Sequence, residues 1–164
     1  LRRAIAEIIG HAGRIDVLVN NAGVNLTGAV EETSMAEALA LFETNVFGAM
    51  RAIQAVLPHM RQQRAGRIVN VSSVLGFLPA PYMAMYSASK HAVEGLSESL
   101  DHELRQFGVR VTLVNVAATV VEAALGRWRM RNTPTGQASL LSKLRRFLPA
   151  TLVDASLRKQ FGLG

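Results

Sequence analysis

No cysteine occurs in this 164-residue chain, which excludes a disulfide framework, a thiolate metal site and a cysteine nucleophile. Aromatic residues make up only 5% of the chain, and Trp128 and Phe147 alone lie among the basic residues near its end. That is too little stacking surface for single-stranded nucleic acid, so no nucleic-acid partner is expected. Thirteen glycines and five prolines, with no repeat, exclude collagen-like or low-complexity sequence. The longest stretch without formal charge, Ile68 to Ser89, is interrupted by Asn70, Ser72, Ser73, Gly76, Pro79 and Pro81. It therefore reads as strand, loop and helix start rather than as a membrane span. The first residues, Leu1-Arg2-Arg3-Ala4-Ile5, carry no apolar signal core and read as the middle of a helix, and a cytoplasmic location is the expectation. His11, His59, His91 and His102 are scattered without metal-ligand spacing, so no metal site is expected.

What is present is aliphatic: 49% of the residues are hydrophobic, enough for the core of a single domain. Charge is uneven. Residues 1–120 are balanced, and the whole net charge of +6 falls in residues 121–164, through Arg127, Arg129, Arg131, Lys143, Arg145, Arg146, Arg158 and Lys159 against Glu122 and Asp154. A solvated helix face accounts for such a tail. A peripheral membrane-surface contact through Leu140, Leu141, Leu144, Phe147 and Leu148 is the less favoured alternative.

Leu1, Ile5, Ile8 and Ile9 share one helical face, and Asp16 to Asn20 reads as a buried strand ending in a turn. Ser34 and Glu37 form a capping box that opens a long helix through Leu39, Phe42, Val46, Ile53, Val56 and Met60. A second strand follows over Ile68 to Ser72. A helix then runs from Tyr82 to Phe107, with Ala88, Ala92, Leu96, Leu100 and Leu104 on one face and Gly108 as its stop. Val109 to Val114 is a third strand, and from Ala117 the pattern is helical, broken by a turn at Pro134-Thr135-Gly136. Strands alternating with long helices imply an α/β fold: part of a doubly wound, Rossmann-type parallel sheet with flanking helices and a helical C-terminal tail. Residues 1–164 form one domain in this reading, with a core half over 1–116 and a basic helical segment over 117–164.

Ligands of such sheets bind beyond the carboxyl ends of the strands. Asn20-Asn21-Ala22-Gly23 follows the first strand and Ser72-Ser73 the second, while the next helix carries Tyr86 and Lys90 one turn apart. A tyrosine serves as an acid/base near neutral pH when a cation favours its phenolate, and Lys90 is such a cation. Ile15 to Gly23, Asn45-Val46-Phe47-Gly48, Gly66 to Ser73 and Tyr86-Ser87-Ala88-Ser89-Lys90 together resemble the short-chain dehydrogenase/reductase family, standard type, over about Leu1 to Val114.

The resemblance implies an NAD(P)-dependent oxidoreductase in which hydride moves to or from a secondary alcohol or ketone. It places a catalytic tetrad on Asn45, Ser73, Tyr86 and Lys90: a water-anchoring amide, a donor to the substrate oxygen, a proton donor and acceptor, and a lysine that also holds the nicotinamide ribose. Asn21, Ala22 and Gly23 would line the cofactor cleft with Tyr86 and Lys90, for NAD or NADP alike. The apolar residues Val74, Leu75, Phe77, Leu78 and Met83 around the site imply a small apolar alcohol or ketone as substrate. The glycines at 10, 13, 23 and 28 do not form the family's phosphate-binding turn, and Val114-Asn115-Val116-Ala117-Ala118-Thr119 stands where the family has Pro-Gly and a substrate lid. The expectation is thus a truncated sheet, its Asp16 to Asn20 strand a bare apolar edge that invites homo-oligomer formation. The alternative is an incompetent fragment acting only by association.

Overall fold

The computed structural model describes residues 1–115, 124–127 and 130–132. Helix α1 (Arg2–Ala12) leads to strand β1 (Val17–Asn20). Helix α2 (Met35–Phe42), a π-helical segment (Glu43–Gly48) and helix α3 (Ala49–Gln63) then form one long rod that leads to strand β2 (Gly66–Val71). Helix α4 (Ala84–Leu104), strand β3 (Val109–Val114) and the two-residue strand β4 (Arg131–Asn132) complete the described chain. All neighbours pair in parallel in the order β1-β2-β3-β4, with Leu18, Ile68 and Val111 in register. The Rossmann-type parallel sheet with flanking helices is therefore as the strand and helix alternation implies.

The strands advance in one direction, so right-handed crossovers place α3 and α4 on the same face. There Ile5, Ile53, Val56, Met60, Ile68, Leu100, Leu104, Val109 and Val111 make the main core. Among the described residues β1 is paired on one side only, and Val19 is exposed there.

Several expected features shift, each for a physical reason. The tail does not read as helix throughout: Arg131–Asn132 extends the sheet, too short to show any periodicity. The helical patterns over 140–148 and 152–161 lie outside the described residues. Leu1 and Ile8 are exposed although they share a face with buried Ile5. In the rod, Ala38 and Leu41 are buried rather than Leu39 and Phe42. A π turn takes up one residue more than an α turn, so the buried stripe upstream of Glu43–Gly48 is displaced by one position. Helix α4 starts at Ala84, because Tyr82 takes a left-handed φ of 60°, and its last turn tightens over Arg105–Phe107.

The face of α4 turned to the sheet is also different. Ala88 is exposed, and the line that is buried runs through Ser87, Lys90, Glu94, Ser97, Leu100, Asp101 and Leu104. Five of these seven residues are polar, and Lys90, Glu94, Ser97 and Asp101 bond to the sheet or to the residue that follows it. The Asp101 carboxylate, fully buried, accepts from Arg110 at 2.9 and 3.0 Å, from Arg105 at 3.2 Å and from the Val111 amide at 2.9 Å. Val111 N–H and Leu113 N–H both point away from β2. Leu113 finds the Met130 carbonyl at 2.7 Å, and Asp101 does for Val111 what a neighbouring strand would otherwise do.

Burial pushes the Asp101 carboxyl up, but the Arg110 hydrogen bonds, the Val111 amide and the fields of Arg110 and Arg105 outweigh it and hold it below the usual aspartate value. The folded state thus binds this proton more weakly than the unfolded chain, so the stabilisation is complete above about pH 4 and is lost as pH falls through the lower folded value. Asp101→Asn should cost about 2 kcal/mol at pH 7 and flatten the acid limb of the stability curve, measured by urea unfolding between pH 3 and 7. At Gly108, φ is 71° and an added Cβ would lie 2.1 Å from the Arg64 carbonyl oxygen at the end of α3. Gly108→Ala should therefore destabilise by more than the ~1 kcal/mol that a left-handed alanine costs alone, read as a loss in Tm.

Candidate active site

The candidate residues come from four elements that meet at the carboxyl ends of β1 and β2. Asn45 sits in the π-helical segment, where the extra backbone residue turns a buried side chain toward the loop after β1. Its Oδ1 accepts from the Val24 amide at 2.8 Å, and its Nδ2 donates to the Val24 carbonyl at 2.9 Å and to Ser89 Oγ at 3.1 Å. The amide thus pairs with Val24 as a neighbouring strand would. Ser89 Oγ donates to the Tyr86 carbonyl at 2.7 Å, which ties the loop after β1 to the first turn of α4.

Lys90 is buried, and its Nζ donates to the Val71 carbonyl at 2.9 Å. The ammonium lies 5.7 Å from the centroid of the Tyr86 ring. Burial pulls the Lys90 pKa below the usual lysine value, and the Glu94 carboxylate one turn on partly restores it. Gly23 closes the arrangement: a Cβ there would stand 3.3 Å from Asn45 Oδ1 and 3.6 Å from Lys90 Nζ. Its bare backbone therefore lies against both groups. Ser73 caps the short turn Val74–Gly76, its Oγ accepting from the Leu75 amide at 3.2 Å. That leaves the hydroxyl proton for another acceptor. Among the described residues the Tyr86 hydroxyl has no hydrogen-bond partner, and Tyr86 is half-buried.

The structure thus links Asn45, Gly23, Lys90 and Tyr86 by contact or through Ser89, and sets Ser73 beyond the end of β2, the strand whose Val71 carbonyl receives Lys90. Asn21 and Ala22 are exposed and line a cleft of about 440 Å³ between β1 and the rod, together with Leu18, Val19, Gly48 and Ala52. Ser73, Tyr86 and Lys90 lie outside that lining. Of the histidines, His91 lies nearest, its Nδ1 2.8 Å from the Ser87 carbonyl. No helix among the described residues is long and apolar enough to cross a membrane.

Sequence reasoning did not assign roles to Ser89, Asn20, Asn70 or Ser97. Asn20 and Asn70 stand opposite each other in the β1–β2 register, and their side chains bond at 2.8 Å. Asn70 continues to Ser97 Oγ at 2.8 Å, and Ser97 to the Val93 carbonyl at 2.6 Å. Two asparagines each closing an apolar strand were the available signal. Gly23→Ala should press on Asn45 and loosen its grip on Val24, at about 1 kcal/mol and a several-fold faster exchange of the Val24 amide, measured by hydrogen exchange.

The short chain dehydrogenase family model matches residues 1–131. A 3-ketodihydrosphingosine reductase of Bacteroides thetaiotaomicron is 46% identical over 114 residues, 70% of this chain and 42% of that protein. Retinol dehydrogenase 8 of Bos taurus is 48% identical over 110 residues, 67% of this chain and 35% of that protein. A metagenomic short-chain oxidoreductase solved in complex with NADP superposes with a TM-score of 0.75 at 32% identity, over 81% of this chain and 67% of its own. The chain spans less than half the length of both curated relatives. With four-fifths of its length matched by the family model and these strand ends in place, the chain belongs to the short chain dehydrogenase family.

Proposed function

We propose that this chain carries the acid/base half of an NAD- or NADP-dependent oxidoreductase acting on a secondary alcohol or ketone. The observation that carries this reading is the convergence of a buried lysine ammonium, a tyrosine ring one turn away and a bare glycine backbone at the ends of adjacent parallel strands. The residues suit the nicotinamide side of a dinucleotide. Gly23 permits close backbone approach beside Lys90, and the ammonium has three N–H donors of which Val71 takes one. Asn21, Ala22, Gly23, Tyr86 and Lys90 would hold that group, and when bound it supplies or takes the hydride.

The chain's own residues account for the remaining demands. The Ser73 hydroxyl, its oxygen already engaged by Leu75 N–H, donates to the substrate oxygen. The Tyr86 hydroxyl, without a hydrogen-bond partner among the described residues, gives a proton to that oxygen in reduction and takes it back in oxidation. The Lys90 charge stabilises the negative charge that develops on the Tyr86 oxygen. Asn45 holds the loop after β1 in place through both backbone groups of Val24.

Val74, Leu75 and Phe77 follow Ser73, and Met83 precedes α4, so an apolar substrate fits the surroundings. The names of the two curated relatives, a 3-ketodihydrosphingosine reductase and a retinol dehydrogenase, point the same way. In the full protein, Tyr86→Phe should lower kcat by about 10²- to 10⁴-fold while the dinucleotide still binds, as followed by NADH and NADPH fluorescence and turnover of apolar alcohols and ketones. Retained turnover would place the proton donor elsewhere.

A further inference from the structure

One helical turn beyond Lys90, residues at the ends of β2 and β3 meet α4 in a polar cluster that the proposed reaction does not use. Glu94 is buried on α4 one turn after Lys90. Its Oε1 accepts from Asn115 Nδ2 at 3.3 Å, and the same Nδ2 donates to the Ser73 carbonyl at 3.0 Å. Asn115 follows β3 directly and is itself buried. The turn after Ser73 closes over the carboxylate without a side chain, because a Cβ on Gly76 would stand 3.1 Å from Glu94 Oε1 and 2.6 Å from Ser72 Oγ.

We propose that Glu94 is a positioning residue of the active site: through Asn115 it fixes the Ser73 backbone, and it sets a buried carboxylate one helical turn from the buried Lys90 ammonium. This rests on the oxidoreductase reading for its consequence in catalysis, while the contacts themselves do not depend on it. A carboxylate is costly to bury, and a hydrophobic residue would fill the same space at less cost. Here the carboxylate is within the same helix face as the one buried lysine among the described residues, and it is joined to the backbone of the proposed substrate-oxygen donor. The groups around Lys90 limit the alternatives. Tyr86 is on its own helix, neutral Asn45 comes from the rod, the Val71 carbonyl from β2 and the Gly23 backbone from β1. Glu94 is thus the acidic group whose field acts on Lys90.

The test is a titration of Lys90 by NMR in the full protein with ¹³C,¹⁵N-labelled lysine, compared between the unmutated protein, Glu94→Gln and Glu94→Asp. Glu94→Gln keeps an acceptor for Asn115 and removes the charge, so the Lys90 pKa should fall further below the usual lysine value. Glu94→Asp keeps the charge and should restore most of that fall. An unchanged Lys90 titration in Glu94→Gln would overturn the proposal. Should that variant not fold, the unmutated protein decides. Lys90 resonances must move as Glu94 is protonated in acid, and their indifference overturns it equally. In turnover, Glu94→Gln should shift the pH profile of kcat/KM with the Lys90 titration, with Tm nearly unchanged. If Tyr86→Phe retains turnover, the oxidoreductase reading fails alone, because the lysine titration still reports on Glu94.

Discussion

A parallel sheet delivers its strand ends to one edge but cannot hold the loops that leave them, since those loops have no strand beside them to bond with. In this chain a single side-chain amide meets that need after β1. Asn45 takes both the N–H and the C=O of Val24, and it reaches them because the rod around it is π-helical over Glu43–Gly48. The irregular helix has its cost: α-helical bonds are given up, and the buried stripe upstream of it slips by one residue. The return is a loop fixed at the depth where Gly23 touches both Asn45 and Lys90. Were the rod α-helical throughout, Asn45 would be rotated away from Val24, and the strand end would lose its anchor.

The same logic recurs along α4. Its sheet-facing line carries polar groups ahead of the leucines at its end, and Lys90, Ser97 and Asp101 each answer a defect of the sheet. Ser97 continues the Asn20–Asn70 chain across the strand ends, Lys90 caps the last carbonyl of β2, and Asp101 takes the Val111 amide. Buried polar groups of this kind add little net stability when satisfied and cost much when one partner is removed. They set the register of helix against sheet more than they hold the two together. Cohesion comes from the apolar cluster at the other end, where Leu100 and Leu104 pack with Ile53, Val56 and Met60.

How much of this could be read from residues alone follows from the same division. The three main strands are legible because each is an apolar run, and the loop residues Asn21 to Gly23, Ser73, Tyr86 and Lys90 because they sit at strand ends or one turn apart. The buried face of α4 is not legible by hydrophobicity, since Glu94, Ser97 and Asp101 look like solvent-facing residues until their partners on β2, on β3 and just after β3 are placed. Ala88, Ala92 and Leu96 form the more apolar stripe and yet face outward or lie only half-buried. The π segment hides for another reason: it preserves the helical appearance of the sequence while displacing its phase. Ser89 could have been found as a short hydroxyl at i+3 from Tyr86, but only the fold shows that Asn45 is its second partner.

Along α4, then, two demands at Lys90 and Asp101 are separated by about three turns of helix. At its first turns the burial of Lys90 works against stability, because the field of Glu94 only partly offsets the desolvation of the ammonium. At its last turns Asp101 gains more from two arginines and an amide than burial takes from it, as its lowered pKa shows. The two ends are joined by one rigid helix, so the favourable anchor near β3 can hold the unfavourable charge near β2 in place without any contact between them. A buried ammonium beside a tyrosine is thus held from two sides: close by through the field of Glu94, which favours the charged form, and at a distance through the anchor at Asp101.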